Sequence, residues 1–252
     1  MIHYHGTPLS GPRQDNVRFL TGRHAMVSFS QPRELPVAAE VCQSFALDNG
    51  AFSAWQSGTE YDWQGFIEWV REWHKHPAFD WAVIPDSIDG TERDNDLLLS
   101  QWPRDLAHAG VPVWHPHETL ERFKDLCGAY RRVAIGGSAH YGQPGCGAWW
   151  HRIRKAMDSI CDASGRPPCR LHGLRLLSVD IFTKLPLSSA DSINAARNAQ
   201  RNDAFGWYEP PTAGQKAAVI ASRIEAHNSA ARWERHDQGQ LFSTPALSQS
   251  SN

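Results

Sequence analysis

Short apolar runs alternate along the chain with longer segments in which apolar residues recur at helical spacing. Each run is followed by polar or glycine-bearing residues, which is typical of buried strands in a parallel sheet. The runs predict eight strands, at residues 2–5, 24–30, 44–48, 81–85, 111–115, 132–136, 171–174 and 187–191. The helical spacing predicts eight helices, at 15–22, 33–42, 62–76, 91–109, 118–126, 147–161, 179–184 and 213–235.

The order of these elements predicts an α/β chain that folds as one (β/α)8 TIM-type barrel. Strands that alternate with helices favour a parallel sheet, and the 252 residues are close to the ~250 of a typical barrel. An open doubly wound sheet is the alternative, although neither a GxGxxG nor a GxxxxGK(S/T) fingerprint is present. The barrel is expected over residues 1–237, and the Ser-rich segment 238–252 is predicted to be a disordered tail.

Charge and composition bear on the kind of partner that the protein could bind. The formal net charge is −2, but residues 1–150 carry 12 Lys and Arg against 18 Asp and Glu, and residues 151–252 carry 13 against 9. This polarity fits either a solvated surface or a polyanion that approaches one side. Most of the 11 Trp residues are expected to pack in the core, with one or two available to stack on a base.

Cysteine usage and the absence of long apolar runs predict a cytoplasmic location. Five scattered cysteines without a CxxC pair indicate free thiols in a reducing compartment. The amino terminus has no basic region followed by an apolar one, and no run approaches the ~18 apolar residues of a membrane span.

Polar residues collect at the carboxyl ends of the predicted strands, which is the edge that carries the active site in a barrel. Asp48 ends the third strand and Asp191 ends the eighth, so they are a candidate pair of acid/base and nucleophile. Two glycines, Gly136 and Gly137, allow the backbone to approach a ligand, and Asp86 can accept the donor edge of a guanine. The further candidates at this edge are Asn49, Gly50, Ser138, His172, Arg175, Asn194, Arg197 and Arg201.

Each of these residues also has a structural interpretation when it is taken singly. Asp86 and Asp89 could cap the next helix, Asp191 could cap the segment that contains Asn194, and His115 could be a core imidazole. Their concentration at one predicted edge favours a functional site.

The order of motifs over residues 44–200 resembles the tRNA-guanine transglycosylase superfamily, and more specifically its DNA-directed, DpdA-like phage and bacterial relatives. The segment Asp48-Asn49-Gly50-Ala51-Phe52 is similar to the family's D-S-G-G-F segment. Asp86 in IPDSIDG and the run from Val133 to Gly137 match a base-binding aspartate and a glycine-rich strand end. LHGLRLL, VDIFTKLP and LSSADS then follow in the family's order and bring Asp191 to the nucleophile position.

The resemblance implies a transferase that replaces guanine in DNA with a 7-deazaguanine base such as preQ0, through a covalent Asp-glycosyl intermediate. Asp191 would be the nucleophile and Asp48 the general acid/base. The residues implied to bind the base or sugar are Asn49, Gly50, Phe52, Asp86, Gly136, Gly137, Ser138, His172 and Arg175. Asn194, Arg197 and Arg201 would contact the nucleic acid, and so could the basic residues Arg152, Arg154 and Lys155.

The resemblance also carries expectations about partners. No cofactor and no metal are expected, RNA is the alternative polymer, and helper proteins that open a duplex are possible partners. The location would be the cytoplasm of a bacterial host, and a phage origin fits. The family's tRNA enzymes carry a C-x-C-x-x-C plus His zinc site after the nucleophile, whereas no cysteine follows Cys169 here, so no zinc subdomain is expected. Asn49 and Ala51 also replace the family's Ser and second Gly.

Two other functional classes fit parts of the sequence. His3 and His5 form an H-x-H on the first strand, and with His115, His172 and Asp191 they could form the metal site of an amidohydrolase-like barrel that activates water. That hypothesis gives no role to Asp48 or to the two glycines. A non-catalytic nucleic-acid or protein-binding barrel is the third class, and the carboxylates at the strand ends argue against it.

Overall fold

The protein forms a barrel of parallel strands surrounded by helices. The structure, a computed structural model, describes residues 1–9, 11–137, 139–201 and 205–235. Its strands are β1 (Ile2–Gly6), β2 (His24–Ser28), β3 (Ser44–Asp48), β4 (Phe79–Val83), β5 (Gly110–Val111), β6 (Val113–Trp114), β7 (Arg132–Ile135), β8 (Arg170–Gly173) and β9 (Ser189–Ser192). They form one sheet in the order β5-β4-β3-β2-β1-β9-β8-β7-β6. The predicted tail, 238–252, lies outside the described residues.

The two ends of the sheet meet at Pro112, which closes the barrel. β5 and β6 stand at opposite ends of the strand order, yet Pro112 alone separates them in the sequence. Proline has no N–H to donate to the ladder, so it interrupts the strand, while its carbonyl oxygen accepts a 2.9 Å hydrogen bond from Ala134 N. The predicted fifth strand is therefore present as two halves, and the predicted TIM barrel is confirmed.

The helices lie where the helical spacing predicted them, with two additions. They are α1 (Arg13–Leu20), α2 (Leu35–Val41), α3 (Ala51–Ser57), α4 (Trp63–Trp73), α5 (Glu92–Ser100), α6 (Leu120–Ala129), α7 (Gly147–Ile160), α8 (Val179–Phe182), α9 (Asn194–Asn198) and α10 (Ala213–Glu225). The short helices α3 and α9 follow the two candidate catalytic strands, where the sequence indicated polar turns. α5 ends well before the predicted 109, since Pro103 disfavours helical backbone at Trp102. The last predicted helix, 213–235, was too long, because α10 ends at Glu225.

Side-chain caps fix the starts of the longer helices. Asp62 accepts a 2.8 Å hydrogen bond from Gly65 N, as expected for the predicted cap of α4. Thr91 forms a capping box with Asp94 at the start of α5, so neither Asp86 nor Asp89 is the cap of that helix. Those two carboxylates are therefore available for other contacts.

The barrel interior contains both apolar and polar side chains, and they show which residues of each strand point inward. Tyr4, Trp81 and Val113 belong to the cluster of buried side chains inside the ring. His172 joins them, with its ring centroid 4.6 Å from that of Trp81. Because side chains alternate along a strand, the inward position of Tyr4 turns its neighbours His3 and His5 outward.

None of the helices in the described ranges is long and apolar enough to cross a membrane.

Candidate active site

Three aspartates occupy the carboxyl edge of the barrel. Asp48 ends β3, Asp86 follows β4, and Asp191 lies in β9, close to its end. They are near enough for the charges of Asp191 and Asp86 both to raise the pKa of Asp48. The structure thus brings together the three carboxylates that the sequence placed at strand ends.

Asp48 has a pKa suited to proton transfer near neutral pH. Burial raises its pKa from 3.8 to about 6, although hydrogen bonds from Ser28 and from the Gly50 N–H partly oppose the rise. The Gly50 N–H lies 3.2 Å from Asp48 Oδ2. Gly50 adopts a φ of 80°, which favours glycine, and this turn aims its N–H at the carboxylate. Asp48 is partly exposed at the mouth, so a ligand can reach it.

Asp191 is held through one of its two oxygens. Oδ1 accepts hydrogen bonds from Arg175 N at 2.8 Å and from His172 Nε2 at 3.2 Å. The described part of the chain gives Oδ2 no hydrogen bond. The arrangement fixes the orientation of the carboxylate and leaves one oxygen for an incoming electrophile.

His172 supports Asp191 from inside the barrel. Its side chain is fully buried, and burial lowers its pKa, although Asp191 opposes that change. A neutral imidazole here donates from Nε2 to Asp191 and accepts the Ser189 hydroxyl at Nδ1, 2.8 Å away. Asp191 therefore separates His172 from the open mouth, so the expected contact between His172 and a base would be indirect.

Asp86 is fixed through both of its oxygens. Asn49 Nδ2 donates to Oδ1 at 2.6 Å, and His115 Nε2 lies 2.8 Å from Oδ2. Asn49 Nδ2 also donates to the Ile84 carbonyl, and Asn49 Oδ1 accepts the Ala51 N–H, which opens α3. Asn49 therefore couples the turn after Asp48 to the loop that carries Asp86.

His115 supports Asp86, a contact that the sequence did not predict. It is completely buried. Burial alone would lower its pKa, but the hydrogen bond and charge of Asp86 and the Gly137 carbonyl raise it overall. A doubly protonated ring donates from Nε2 to Asp86 and from Nδ1 to the Gly137 oxygen, 2.7 Å away. An imidazolium therefore lies behind Asp86, in contrast to the neutral ring behind Asp191.

A second layer of polar residues surrounds His115. Glu118 accepts the His115 N–H at 2.8 Å and is itself buried. Asn95 and Arg122 donate to Glu118 at 2.8 and 2.9 Å. These bonds hold the backbone of His115 and satisfy the buried Glu118 carboxylate, whose charge also raises the pKa of the His115 ring.

The paired glycines have different surroundings. A Cβ on Gly136 would lie 2.7 Å from the His115 ring, so the close packing of that ring accounts for this glycine. A Cβ on Gly137 would meet open space. Ser138, the next predicted site residue, lies outside the described residues.

Arg175 contacts both Asp191 and the Phe52 ring of α3. It has a φ of 60°, a conformation that costs a non-glycine residue about 1–3 kcal/mol. That conformation points its N–H at Asp191, while its guanidinium carbon lies 3.5 Å from the centroid of the Phe52 ring on α3. Burial lowers the pKa of its guanidinium, whereas the negative charges of Asp191 and Asp48 oppose that change. The Arg175–Phe52 pair therefore lies close enough to both carboxylates to feel their charges.

The predicted nucleic-acid contacts lie at the start of α9 and beyond it. Arg197 and Arg201 are exposed, and Asn194 accepts a hydrogen bond from Asn198 in the same turn. Arg152 is used differently, because its Nε donates to the Pro116 carbonyl at 2.7 Å and fastens the loop before α6. Arg152 is thus engaged in a structural contact, whereas Lys155 is exposed on α7.

A cavity of about 250 Å³ lies between α3 and α4, and its lining includes the turn after Asp48 but none of the three aspartates themselves. Asn49 and Gly50 border it on the side of the site, and Phe29, Tyr61 and Trp63 form its apolar walls. The Tyr61 and Trp63 rings are stacked with centroids 4.3 Å apart.

The histidines of the metal-hydrolase hypothesis do not converge. His5 Nε2 pairs with Glu225 of α10 at 2.8 Å, and His3 Nε2 lies 3.0 Å from the His227 carbonyl, both outside the ring. His115 and His172 contact different aspartates at the mouth. Within the ranges that the structure describes, no group of three or more His, Cys, Asp or Glu side chains could hold a metal ion.

The comparisons with known proteins bear on the fold. No protein-family model and no curated protein matches the chain. Among solved structures, it is similar to an Aquifex aeolicus VF5 protein at 12% identity and a TM-score of 0.51, with 93% of each chain covered. It is also similar to a mutant tryptophan synthase alpha-subunit from Pyrococcus furiosus, at 10% identity and a TM-score of 0.48, with 89% of this chain and 97% of that chain covered. Identities this low concern the fold alone.

Proposed function

We propose that the protein is a base-exchange transglycosylase that replaces guanine in DNA with a 7-deazaguanine base. The observation that carries the proposal is the set of three aspartates at one barrel edge, each held in a different environment. Asp48 has a pKa near 6, Asp191 is fixed through one oxygen, and Asp86 is fixed through both. Base exchange at a glycosidic bond needs three such groups, namely an acid/base, a nucleophile and a heterocycle anchor.

The first half-reaction breaks the bond between the guanine and C1′ of its sugar. Oδ2 of Asp191 attacks C1′, and the electron pair of the glycosidic bond leaves with guanine. Protonated Asp48 supplies a proton to the departing base. The products are free guanine, ionised Asp48 and a covalent ester between Asp191 and the sugar.

The second half-reaction reverses these steps with a different base. Ionised Asp48 removes the ring N–H proton of the incoming 7-deazaguanine, whose nitrogen attacks C1′ and releases the Asp191 carboxylate. Asp48 returns to its protonated form, so one proton is carried in a closed cycle and no water is consumed. A pKa near 6 suits a group that must hold and release a proton within one turnover.

Recognition of the heterocycle would rest on Asp86. Its oxygens face donors from Asn49 and His115, and the remaining lone pairs can accept the N1–H and exocyclic amine of a guanine-like ring. The target nucleotide would have to leave the base stack to reach a site inside the barrel mouth. RNA is the alternative polymer, and helper proteins could open the duplex.

The test is a trapping and exchange assay. Purified protein is incubated with guanine-containing single-stranded DNA or RNA and preQ0, with and without chelator, and the products are analysed by denaturing gel and mass spectrometry. We expect chelator-insensitive exchange and a protein–DNA adduct, both of which are lost in Asp191→Asn. Exchange on RNA but not DNA would instead assign the alternative polymer.

The matched control is Asp89→Asn. Asp89 is an exposed carboxylate in the same strand-end loop as Asp86 and accepts the Trp55 indole N–H at 3.1 Å. The Asp89→Asn variant should exchange bases at the same rate as the parent protein. An adduct that persists in Asp191→Asn, or activity that disappears with chelator, would overturn the proposal.

A further inference from the structure

Two adjacent aromatic side chains are largely exposed to solvent in the loop between α9 and α10. Trp207 is 108% exposed and Tyr208 is 72% exposed. Large aromatic side chains supply much of the free energy of cores and interfaces when they are buried, so such exposure of two neighbours points to a binding surface.

The loop that carries them is anchored on both sides. Phe205 is buried, and the cationic ends of Lys216 and Arg223 on α10 lie 5.7 and 6.0 Å from its ring centroid. On the other side, Glu209 forms an ion pair with Lys216. The exposed aromatic pair therefore lies between two residues, Phe205 and Glu209, that hold the loop against α10.

The loop lies at the same edge of the barrel as the three aspartates. A Cβ on Gly11, in the loop that follows the carboxyl end of β1, would lie 3.8 Å from Ala213, the first residue of α10. The other end of the helix is near the amino end of β1, since the His227 carbonyl lies 3.0 Å from His3 Nε2. The segment that precedes α10 is thus at the mouth.

The charge around this loop suits a polyanion. Arg197 and Arg201 are exposed in the segment just before it, and residues 151–252 as a whole carry 13 Lys and Arg against 9 Asp and Glu. Aromatic faces interleaved with cations are the usual platform for unpaired nucleotides, because every base has a face that can stack.

We propose that Trp207 and Tyr208 stack on unpaired bases that flank the target nucleotide, and so hold the strand open beside the mouth. This inference rests on the proposed function, since it assumes a nucleic-acid substrate. A base that is extruded leaves its neighbours partly unstacked, and an aromatic platform at the rim would compensate for that loss.

Binding in the absence of chemistry tests the inference. The probe is a fluorescein-labelled single-stranded DNA 20-mer of thymidine with one central deoxyguanosine, and every variant carries Asp191→Asn. Fluorescence anisotropy should show about 10-fold weaker binding for Trp207→Ala and for Tyr208→Ala, with near recovery in Trp207→Phe. Leu97→Ala is the matched control, because Leu97 is a 59% exposed apolar residue on the outer helix α5.

Salt dependence separates stacking from charge. Removing a stacking side chain should leave the slope of log Kd against log salt unchanged, whereas Arg197→Ala should reduce it by about 0.7. If the parent protein binds neither DNA nor RNA 20-mers, the proposed function itself fails. If the parent binds and both aromatic variants bind equally well, this inference alone is overturned. Weaker self-association of Trp207→Ala in sedimentation, with unchanged DNA binding, would assign the surface to a protein contact instead.

Discussion

The imidazole of His172 lies beneath Asp191 and donates to its Oδ1 at 3.2 Å, while Ser189 holds the opposite ring nitrogen at 2.8 Å. The three residues form a buried chain that ends at the carboxylate proposed to attack the sugar. A positioning residue of this kind acts through the group it orients.

His172→Phe should therefore slow adduct formation by about 10- to 100-fold, the range expected for loss of one hydrogen bond to a charged group. Phenylalanine keeps the ring contacts with Tyr4 and Trp81, so packing is largely preserved. The check is to measure both the single-turnover rate of adduct formation and the KM for the incoming base. Because His172 orients the nucleophile, the substitution should lower the rate and leave the KM unchanged.

Ser189→Ala provides the graded comparison, since it removes only the group that fixes the tautomer. We expect a smaller decrease than for His172→Phe. Equal rates in all three proteins would show that the chain beneath Asp191 has no part in the reaction.

Asp48 should make the protein less stable as the pH rises through its titration range. Its pKa is about 6 in the folded protein and 3.8 ordinarily, so the folded state holds the proton more tightly. Stability therefore falls between about pH 4 and pH 6, and the cost at pH 7 is at most about 3 kcal/mol. Asp48→Asn removes this titration, so the variant should unfold at higher urea than the parent at pH 7 and lose that advantage at pH 4.

The same substitution should abolish exchange, because an amide neither donates a proton to guanine nor removes one from the incoming base. For the parent, adduct formation should decline above about pH 6, whereas release by the incoming base should decline below it. Urea midpoints that shift by the same amount at pH 4 and pH 7 would contradict the assignment of the raised pKa to Asp48.

Sequence periodicity was sufficient for the barrel and for the edge at which the carboxylates meet. Parallel strands end at a common edge, so residues that follow apolar runs, such as Asp48, Asp86 and Asp191, had to converge. The interruption at Pro112 also had a local signal, since proline cannot donate within a ladder.

The sequence could not predict which side chains of β1 point into the barrel and which point outward. A barrel strand is buried on both faces, so the apolar pattern does not distinguish the inward from the outward set. H-x-H therefore looked like a metal pair, whereas His3 and His5 face the helices and Tyr4 fills the interior. The Asp86–His115 contact was equally hidden, because it joins loops 29 residues apart through particular side-chain conformations.

The Asp86–His115 pair should be strongly coupled in stability. Removing one partner of a buried ion pair leaves an uncompensated charge and typically costs about 3–5 kcal/mol. His115→Ala should lower the free energy of unfolding by that order, and the double variant with Asp86→Ala should lose less than the sum of the two single losses. Urea unfolding of the four proteins measures the coupling.

Glu121→Ala is the control for that cycle, since this exposed carboxylate on α6 lies close in sequence to the His115 loop. It should change the free energy of unfolding by less than about 0.5 kcal/mol. Strictly additive losses for Asp86 and His115 would argue that the two groups do not form an ion pair.

Arg175 offers a way to separate its backbone role from its side-chain role. Its φ of 60° directs the N–H to Asp191, and its guanidinium lies on Phe52. Arg175→Gly keeps the N–H in a conformation that glycine adopts freely, whereas Arg175→Ala keeps the strain, so the glycine variant should be more stable by about 1 kcal/mol. Both variants should bind single-stranded DNA more weakly and to the same extent, because both lose the guanidinium. Thermal unfolding and anisotropy measured on the same preparations check the two effects, and equal stability of the variants would place the strain elsewhere.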